Sequence, residues 1–335
     1  MQSAIYGLAG LDLTADEAAF FRDARPAGYI LFRRNCDSRD QLRRLTDSLR
    51  ALEGHDDVAI LIDQEGGRVA RMRPPEWPAF PAGEAFDRLY QLAPSSAIEA
   101  ARVNARALGL MLAEVGITVD ALPMLDVRQP GASDIVGDRA LGAEPMQVAA
   151  LGRAILDGLA SAGVMGIVKH IPGHGRALVD SHHALPVVDD DEEALAIDLE
   201  PFERLRDAGM AMTSHLLYTQ WDAERPASQS PTVIHDVIRQ RIGFDGFLMS
   251  DDIGMEALAG DHGQRAAACV AAGCDVALHC DGKMDNMRLV AAAVPAMTPE
   301  AEARLARAMA MRFIPDDAMD FAEAVAKRDA LLALV

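Results

Sequence analysis

Short apolar runs alternate with longer segments of helical periodicity along the whole chain. Eight runs read as strands: Ala4–Gly10, Gly28–Arg33, Val58–Asp63, Thr118–Leu125, Gly166–His170, Ala211–His215, Gly246–Ser250 and Asp275–His279. VAILID from Val58 and GFLMSD from Gly246 are apolar almost throughout, which suits strands buried on both faces in a parallel sheet. Between the runs, apolar residues recur at helical spacing. Val148, Leu151, Ile155 and Leu159 form one stripe, opened by Pro145 and closed by Gly163. The stretch SSAIEAARVNARALGLMLAEVG predicts another helix, with Ser95 or Ser96 as its cap and Gly116 as its stop. A single glycine closes one helix after another shortly before a strand, at Gly54, Gly116, Gly163, Gly209, Gly243 and Gly273, which is the loop chemistry of a wound α/β fold.

Eight strands with intervening helices predict an α/β fold of the (β/α)8 TIM-type barrel class rather than an open sheet, and no GxGxxG follows the first strand. The 335 residues alone would suggest about two domains. With no Ser/Gly linker, low-complexity tract or short repeat, the prediction is a single domain over residues 1–335, with C-terminal helices from about residue 296.

Asp and Glu total 51 against 32 Lys and Arg, a formal charge of −19. Such a balance argues against gripping nucleic acid, which needs a basic surface, but leaves room for a local basic pocket. Cys36, Cys269, Cys274 and Cys280 form no CxxC pair, and a chain this long needs no disulfide framework. The N-terminus has no basic n-region and its apolar run is broken by Asp12, unlike a signal peptide. No stretch approaches the roughly eighteen apolar residues of a membrane span. The expectation is a cytoplasmic monomer with reduced thiols and a small-molecule substrate, without nucleic-acid or membrane partners.

In barrels of this type the active site lies where strands end. The polar residues there are Asp63, Asp126, Lys169, His170, His215, Asp251 and Asp252. The densest segment, GIVKHIPGHGRALVDSHHALP, ends a strand at Lys169 and His170. It continues through Pro172, Gly173 and Gly175 to Asp180, Ser181, His182 and His183. The two glycines read as making this loop pliable and open to close ligand approach. An Asp two residues before a His can orient the imidazole and raise its basicity, as a general acid/base requires. A zinc site is the competing reading for His170 and His174, but Pro172 and Gly173 between them preclude the helix that would present both to one ion.

In FDGFLMSDDIGMEA, adjacent residues of an extended chain point opposite ways, so at most one of Asp251 and Asp252 is expected to face the pocket directly. A carboxylate there could be nucleophile, base or metal ligand, and a helix-cap role suits Asp252 better than Asp251. Asp63 can accept hydrogen bonds from paired substrate hydroxyls, and the Gly66–Gly67 turn returns Arg68 and Arg71 toward the rim. Arg139 follows a glycine in the loop leaving the fourth strand. Arg71, Arg139 and Lys169 together predict a local basic pocket on an acidic protein.

DQEGGRV at 63–69, KHIPGHG at 169–175, DSH at 180–182 and MSDD at 249–252 together resemble glycoside hydrolase family 3, in its single-domain bacterial β-N-acetylhexosaminidase branch. LPMLDV at 122–127 and GDRALG at 137–142 match weaker stations of the same pattern in the same order. The resemblance implies a retaining exo-glycosidase that removes terminal β-linked N-acetylglucosamine without cofactor or metal. Its substrate would be a GlcNAc-anhydromuramoyl-peptide in cytoplasmic peptidoglycan recycling. It implies Asp251 as nucleophile, His182 as acid/base with Asp180 as its partner, and Asp63, Arg71, Arg139, Lys169 and His170 as sugar-binding residues. Because His182 lies on a Gly/Pro loop, that loop is expected to move and close over substrate. Ile171 stands where the family usually has Phe, Ala177 and Leu178 replace more polar residues, and RALG replaces the commoner RSFG. Two other reactions remain open on these residues: a metal-dependent barrel hydrolase using His170, His174, Asp251 and Asp252, and a phosphorylase with the same nucleophile.

Overall fold

The first strand, Gln2–Gly7, pairs in parallel with both the second, Pro26–Leu31, and the eighth, Val276–His279, which closes the sheet on itself. The computed structural model describes residues 1–131, 133–179, 181, 184–313, 315 and 319–335. Between the second and eighth strands the barrel runs through Ile60–Ile62, Val119–Asp120, Met165–Ile171, Met210–Thr213 and Phe247–Asp252, all parallel. The fold is the expected (β/α)8 barrel, and each of the eight apolar runs overlaps one strand.

Strand lengths differ from the sequence pattern for local reasons. The fourth strand stops at Asp120 although the apolar run continues to Leu125. Pro123 has no amide to donate to the ladder. The chain nevertheless keeps beside the fifth strand, where Leu122 O accepts from Ile167 N at 3.0 Å and Leu125 N donates to Lys169 O at 2.7 Å. The helix expected from Ser95 or Ser96 begins one turn position earlier, at Pro94, and runs to Glu114. Ala93 precedes it without a side-chain cap, because Pro94 occupies the position where a missing amide costs nothing. Pro145–Ala160 forms the helix carrying the Val148–Leu159 stripe. Left-handed glycines end Arg39–Glu53 and His262–Ala272, at Gly54 and Gly273.

Two apolar layers follow from strand alternation. Outward side chains such as Tyr29, Ile60, Val168, Ala211 and Leu248 pack under the helices. Inward ones such as Ile5, Ile30, Leu61, Ile167, Met210, Phe247 and Val276 fill the barrel. The inner layer is continued by Ala301, Leu305, Ala308 and Met309 of the helix Pro299–Met309. That helix covers the end where strands begin. Arg304 bonds Asp275 at 3.0 Å and Asp245 at 3.1 Å, just ahead of the eighth and seventh strands. A last helix, Phe321–Leu332, buries Ala324 in the outer layer. With the strand-start end plugged, the opposite end is left for chemistry.

Truncating the plug tests this packing. Leu305 is 6% exposed, and Leu305→Ala should lower unfolding free energy by about 2–4 kcal/mol, read as a lower urea midpoint at unchanged slope.

Candidate active site

Strand C-termini and the loops that leave them enclose a cavity of about 260 Å³. It gathers six of the eight residues to which the family resemblance gives a role, Asp63, Arg71, Arg139, Lys169, His170 and Asp251. Asp180 and His182, with neighbouring His183, lie outside the described residues. Ser181 between them lines the cavity, and its carbonyl accepts from Ala257 N at 3.2 Å.

Lys169 points inward by strand alternation, in register with Met212. Its Nζ lies 2.6 Å from Glu65 Oε1 and 3.1 Å from Asp63 Oδ1. Glu65 also accepts a fork from Arg139, Nη2 to Oε1 at 2.7 Å and Nε to Oε2 at 2.8 Å. Arg71 Nη2 reaches Asp63 Oδ2 at 3.1 Å. Burial would raise Glu65, but Arg139 and Lys169 hold its carboxyl below the ordinary range. Asp63 is lowered likewise, with Lys169 and Arg71 outweighing burial. Burial would lower Lys169, but Glu65 and Asp63 raise it instead. The expected basic pocket is therefore a neutralised network. Its three cations all face carboxylates, and the missing member was Glu65. The signal was present in DQE, since residues 63 and 65 of an extended chain share a face.

Arg71 is held by a relay from the fourth strand. Asp120 Oδ1 accepts from Gln64 N at 2.9 Å, and Gln64 Oε1 accepts from the amides of Arg71 at 2.8 Å and Met72 at 3.0 Å. Burial keeps the Asp120 carboxyl far above the ordinary range. The Arg71 guanidinium also lies over the Phe32 ring, 5.1 Å from its centroid.

His170 lines the cavity beside Lys169 because the fifth strand bulges there: Lys169 pairs with Met212 and Ile171 with the very next residue, Thr213. His170 Nδ1 donates to Asp126 Oδ2 at 2.7 Å, and Asp126 Oδ1 accepts from the amides of His170 at 3.1 Å and His174 at 2.6 Å. One buried carboxylate thus organises the KHIPGHG segment. Burial opposes its ionisation, but His170 and these donors hold it below the ordinary range. Glycines 173 and 175, read as a source of pliability, serve close packing. A Cβ on Gly175 would stand 1.9 Å from Val127 O, and one on Gly173 would stand 3.0 Å from Asp198 Cβ.

The seventh strand bulges too, since Val276 pairs with Met249 but Leu278 with Asp252. The extra residue lets both Asp251 and Asp252 line the cavity, against the expectation that at most one would face it. Nor is Asp252 a helix cap. The following helix is capped by Asp261, whereas Asp252 Oδ1 accepts from Gly254 N at 2.9 Å and Cys280 N at 3.3 Å. Burial, reinforced by Asp251, pushes Asp252 up to about 6. Asp251 Oδ1 accepts from Asp252 N at 2.8 Å. His215 stands behind the strand rather than in the cavity. Its Nε2 donates to Asp252 O at 3.0 Å, and Nδ1 accepts from Ser228 Oγ at 2.6 Å. Burial lowers it, so the ring acts as a neutral prop.

His174 also lines the cavity, with Nε2 3.5 Å from Ser181 Oγ. Burial and His170 push it down to about 4. A metal held by His170, His174, Asp251 and Asp252 is poorly served here. Among the described residues these four bring no three ligating atoms within 4.8 Å of one another.

Residues 5–311 match the Glycosyl hydrolase family 3 N terminal domain. The chain is 37% identical over 322 residues to the Beta-hexosaminidase of Aromatoleum aromaticum, covering 94% of this chain and 88% of that one. It is 39% identical over 312 residues to that of Chromobacterium violaceum, covering 90% and 84%. Native NagZ from Neisseria gonorrhoeae superposes with a TM-score of 0.87 at 31% identity, covering 99% and 98%. The same enzyme in complex with N-trifluoroacetyl-D-glucosamine gives 0.84 at 30% identity, covering 99% and 96%.

Glu65→Gln removes the anion shared by two buried cations and should cost about 3–5 kcal/mol at neutral pH. Because the folded value of Glu65 lies below its unfolded value of about 4.3, the stabilisation is complete above that pH and is lost as pH falls toward the folded value. Urea unfolding across the acid range should show a shallower pH dependence in the variant. Asp126→Asn should reduce turnover while leaving the fold intact, with the loss read in kcat by steady-state assay.

Proposed function

The chain belongs to glycosyl hydrolase family 3, and on that premise we propose a retaining exo-β-N-acetylglucosaminidase with Asp251 as nucleophile and the His182–Asp180 pair as acid/base. It is a glycoside hydrolase of the β-N-acetylhexosaminidase type, like the relatives to which it is 37% and 39% identical. The observation that carries the residue assignment is Asp251, 8% exposed, in a cavity whose cations Arg71, Arg139 and Lys169 are already taken up by Asp63 and Glu65. Its neighbours supply directional contacts for a polar, uncharged sugar. Sugar hydroxyls can donate to Asp63 and accept from Lys169 and Arg71, while His170 is oriented by Asp126.

In the first step an Asp251 oxygen attacks the anomeric carbon and the glycosidic bond breaks. The leaving oxygen takes a proton from His182, and the sugar remains as an ester on Asp251. In the second step His182 removes a proton from water, which attacks the same carbon and frees the carboxylate. Retaining glycosidases generally pair two carboxyl groups about 5 Å apart. Here an imidazole with an Asp two residues earlier takes the acid/base role.

The substrate we propose is N-acetylglucosaminyl-anhydromuramoyl-peptide, hydrolysed in the cytoplasm during peptidoglycan recycling by a monomer. Four buried free cysteines suit a reducing compartment. Among the described residues no helix is long and apolar enough to cross a membrane.

Turnover of 4-nitrophenyl N-acetyl-β-D-glucosaminide tests the activity, and a 5-fluoro glycoside tests the nucleophile. The fluoro sugar should add one adduct on the peptide containing Asp251, and Asp251→Asn should lose both adduct and turnover. His182→Ala should cut turnover of substrates with poor leaving groups by about 10²–10⁴-fold. Undiminished activity in Asp251→Asn would overturn the assignment, and an absolute need for phosphate would overturn hydrolysis.

A further inference from the structure

Behind the rim of the eighth strand, three side chains converge that have no part in the sugar cavity. His279 is the last residue of the strand, and alternation turns it away from the barrel interior, between Leu278 and Cys280 that line the cavity. His262 opens the helix His262–Ala272, and Asp281 lies in the loop after the strand. One potential ligand atom from each lies within 4.8 Å of the other two.

A second observation points to a ligand. His279 is wholly buried, yet neither ring nitrogen has a hydrogen-bond partner among the described residues, and His262 Nδ1 is likewise buried and unpartnered. Native interiors rarely leave such groups unsatisfied. His279 Nε2 lies 3.2 Å from Asp281 Oδ1 but is not aligned for a hydrogen bond. Ring packing fixes the imidazole in place, at 6.1 Å from the Tyr6 centroid and 5.1 Å from that of His262, both near perpendicular.

We propose that His262, His279 and Asp281 bind a divalent cation of the zinc class at the rim of the eighth strand, outside the sugar cavity. Two imidazoles and one carboxylate suit zinc rather than calcium or magnesium, which prefer all-oxygen sites. Tetrahedral bonds of about 2.0–2.2 Å set donors about 3.4 Å apart, close to the 3.2 Å between His279 and Asp281. Water would complete the fourth position. The carboxylate is already oriented, with Asn286 Nδ2 donating to Oδ2 at 2.5 Å and Lys283 N to Oδ1 at 2.7 Å, as second partners of metal ligands commonly are. A bound ion would pin the start of one helix to both flanks of Cys280, whose amide donates to Asp252 at 3.3 Å in the cavity wall.

The test uses the full chain stripped with chelator and titrated with Co²⁺ and Zn²⁺. We expect one equivalent of cobalt with tetrahedral visible absorption, displaced by zinc, and a higher Tm in zinc. His262→Gln and Asp281→Asn, both at partly exposed positions and checked for folding by circular dichroism, should lose the absorption and the Tm rise. Asp251→Asn and His174→Gln should keep both. Failure of the full chain to bind stoichiometrically, or binding that survives His262→Gln and Asp281→Asn, would overturn the proposal. So would binding lost only with Asp251→Asn, which would put the cation in the sugar cavity.

Discussion

The open end of this barrel depends on a charge that water cannot reach. Lys169 Nζ, on a side chain 3% exposed, sits between Glu65 and Asp63, and Glu65 in turn receives the fork of Arg139. An isolated ammonium in that position would shed its proton or force its way out. Held by two carboxylates, it remains charged and directional. The network spans the loop after the third strand, the end of the fifth and the long loop after the fourth. Those three pieces of chain therefore cannot take their places independently. A site for a neutral, hydroxyl-rich molecule benefits from such an arrangement, since its donors and acceptors are strong while its net charge is small.

Two departures from regular strand geometry give that network its company. A bulge in the fifth strand brings His170 to the same cavity as Lys169, and a bulge in the seventh does the same for Asp252 and Asp251. Each irregular stretch is stabilised by an atom that substitutes for a lost ladder contact. Asp126 accepts from the amides of His170 and His174, and Ser250 Oγ accepts from Leu278 N at 3.0 Å. The bulges at His170 and Asp251 lie at the end with chemistry, while the other end is closed by Leu305, Ala308 and Met309 in plain apolar contact. Stability and reactivity are thus separated along the barrel axis.

The legible part of this fold was periodic. Runs such as VAILID and GFLMSD are apolar because helices cover both faces of the sheet, and that burial writes itself into consecutive residues. Strand-end placement followed at once, and with it Asp63, Lys169, His170 and Asp251. Glu65 was harder to see because a carboxylate after a strand is ordinary; only its two buried cations mark it out. The pairing of Asp251 and Asp252 was hidden for another reason. Strict alternation is the only rule available to one strand alone, and the bulge arises from pairing with the eighth strand, where Leu278 stands opposite Asp252. Ser95 and Ser96 were plausible caps, but Pro94 begins the helix without one.

The sequence by itself determined the barrel, the end at which its chemistry lies and, through four short motifs, the family. Those features rest on local periodicity and on residue types whose chemistry survives any register. Tertiary structure alone decided that the cations of the site are neutralised, that glycines 173 and 175 are packing devices, and that two histidines of the eighth-strand rim share a pocket with Asp281. Each of these depends on which distant side chains meet across the sheet. Charge compensation and close approach are set by distance in space, and a linear chain does not carry that distance until it folds.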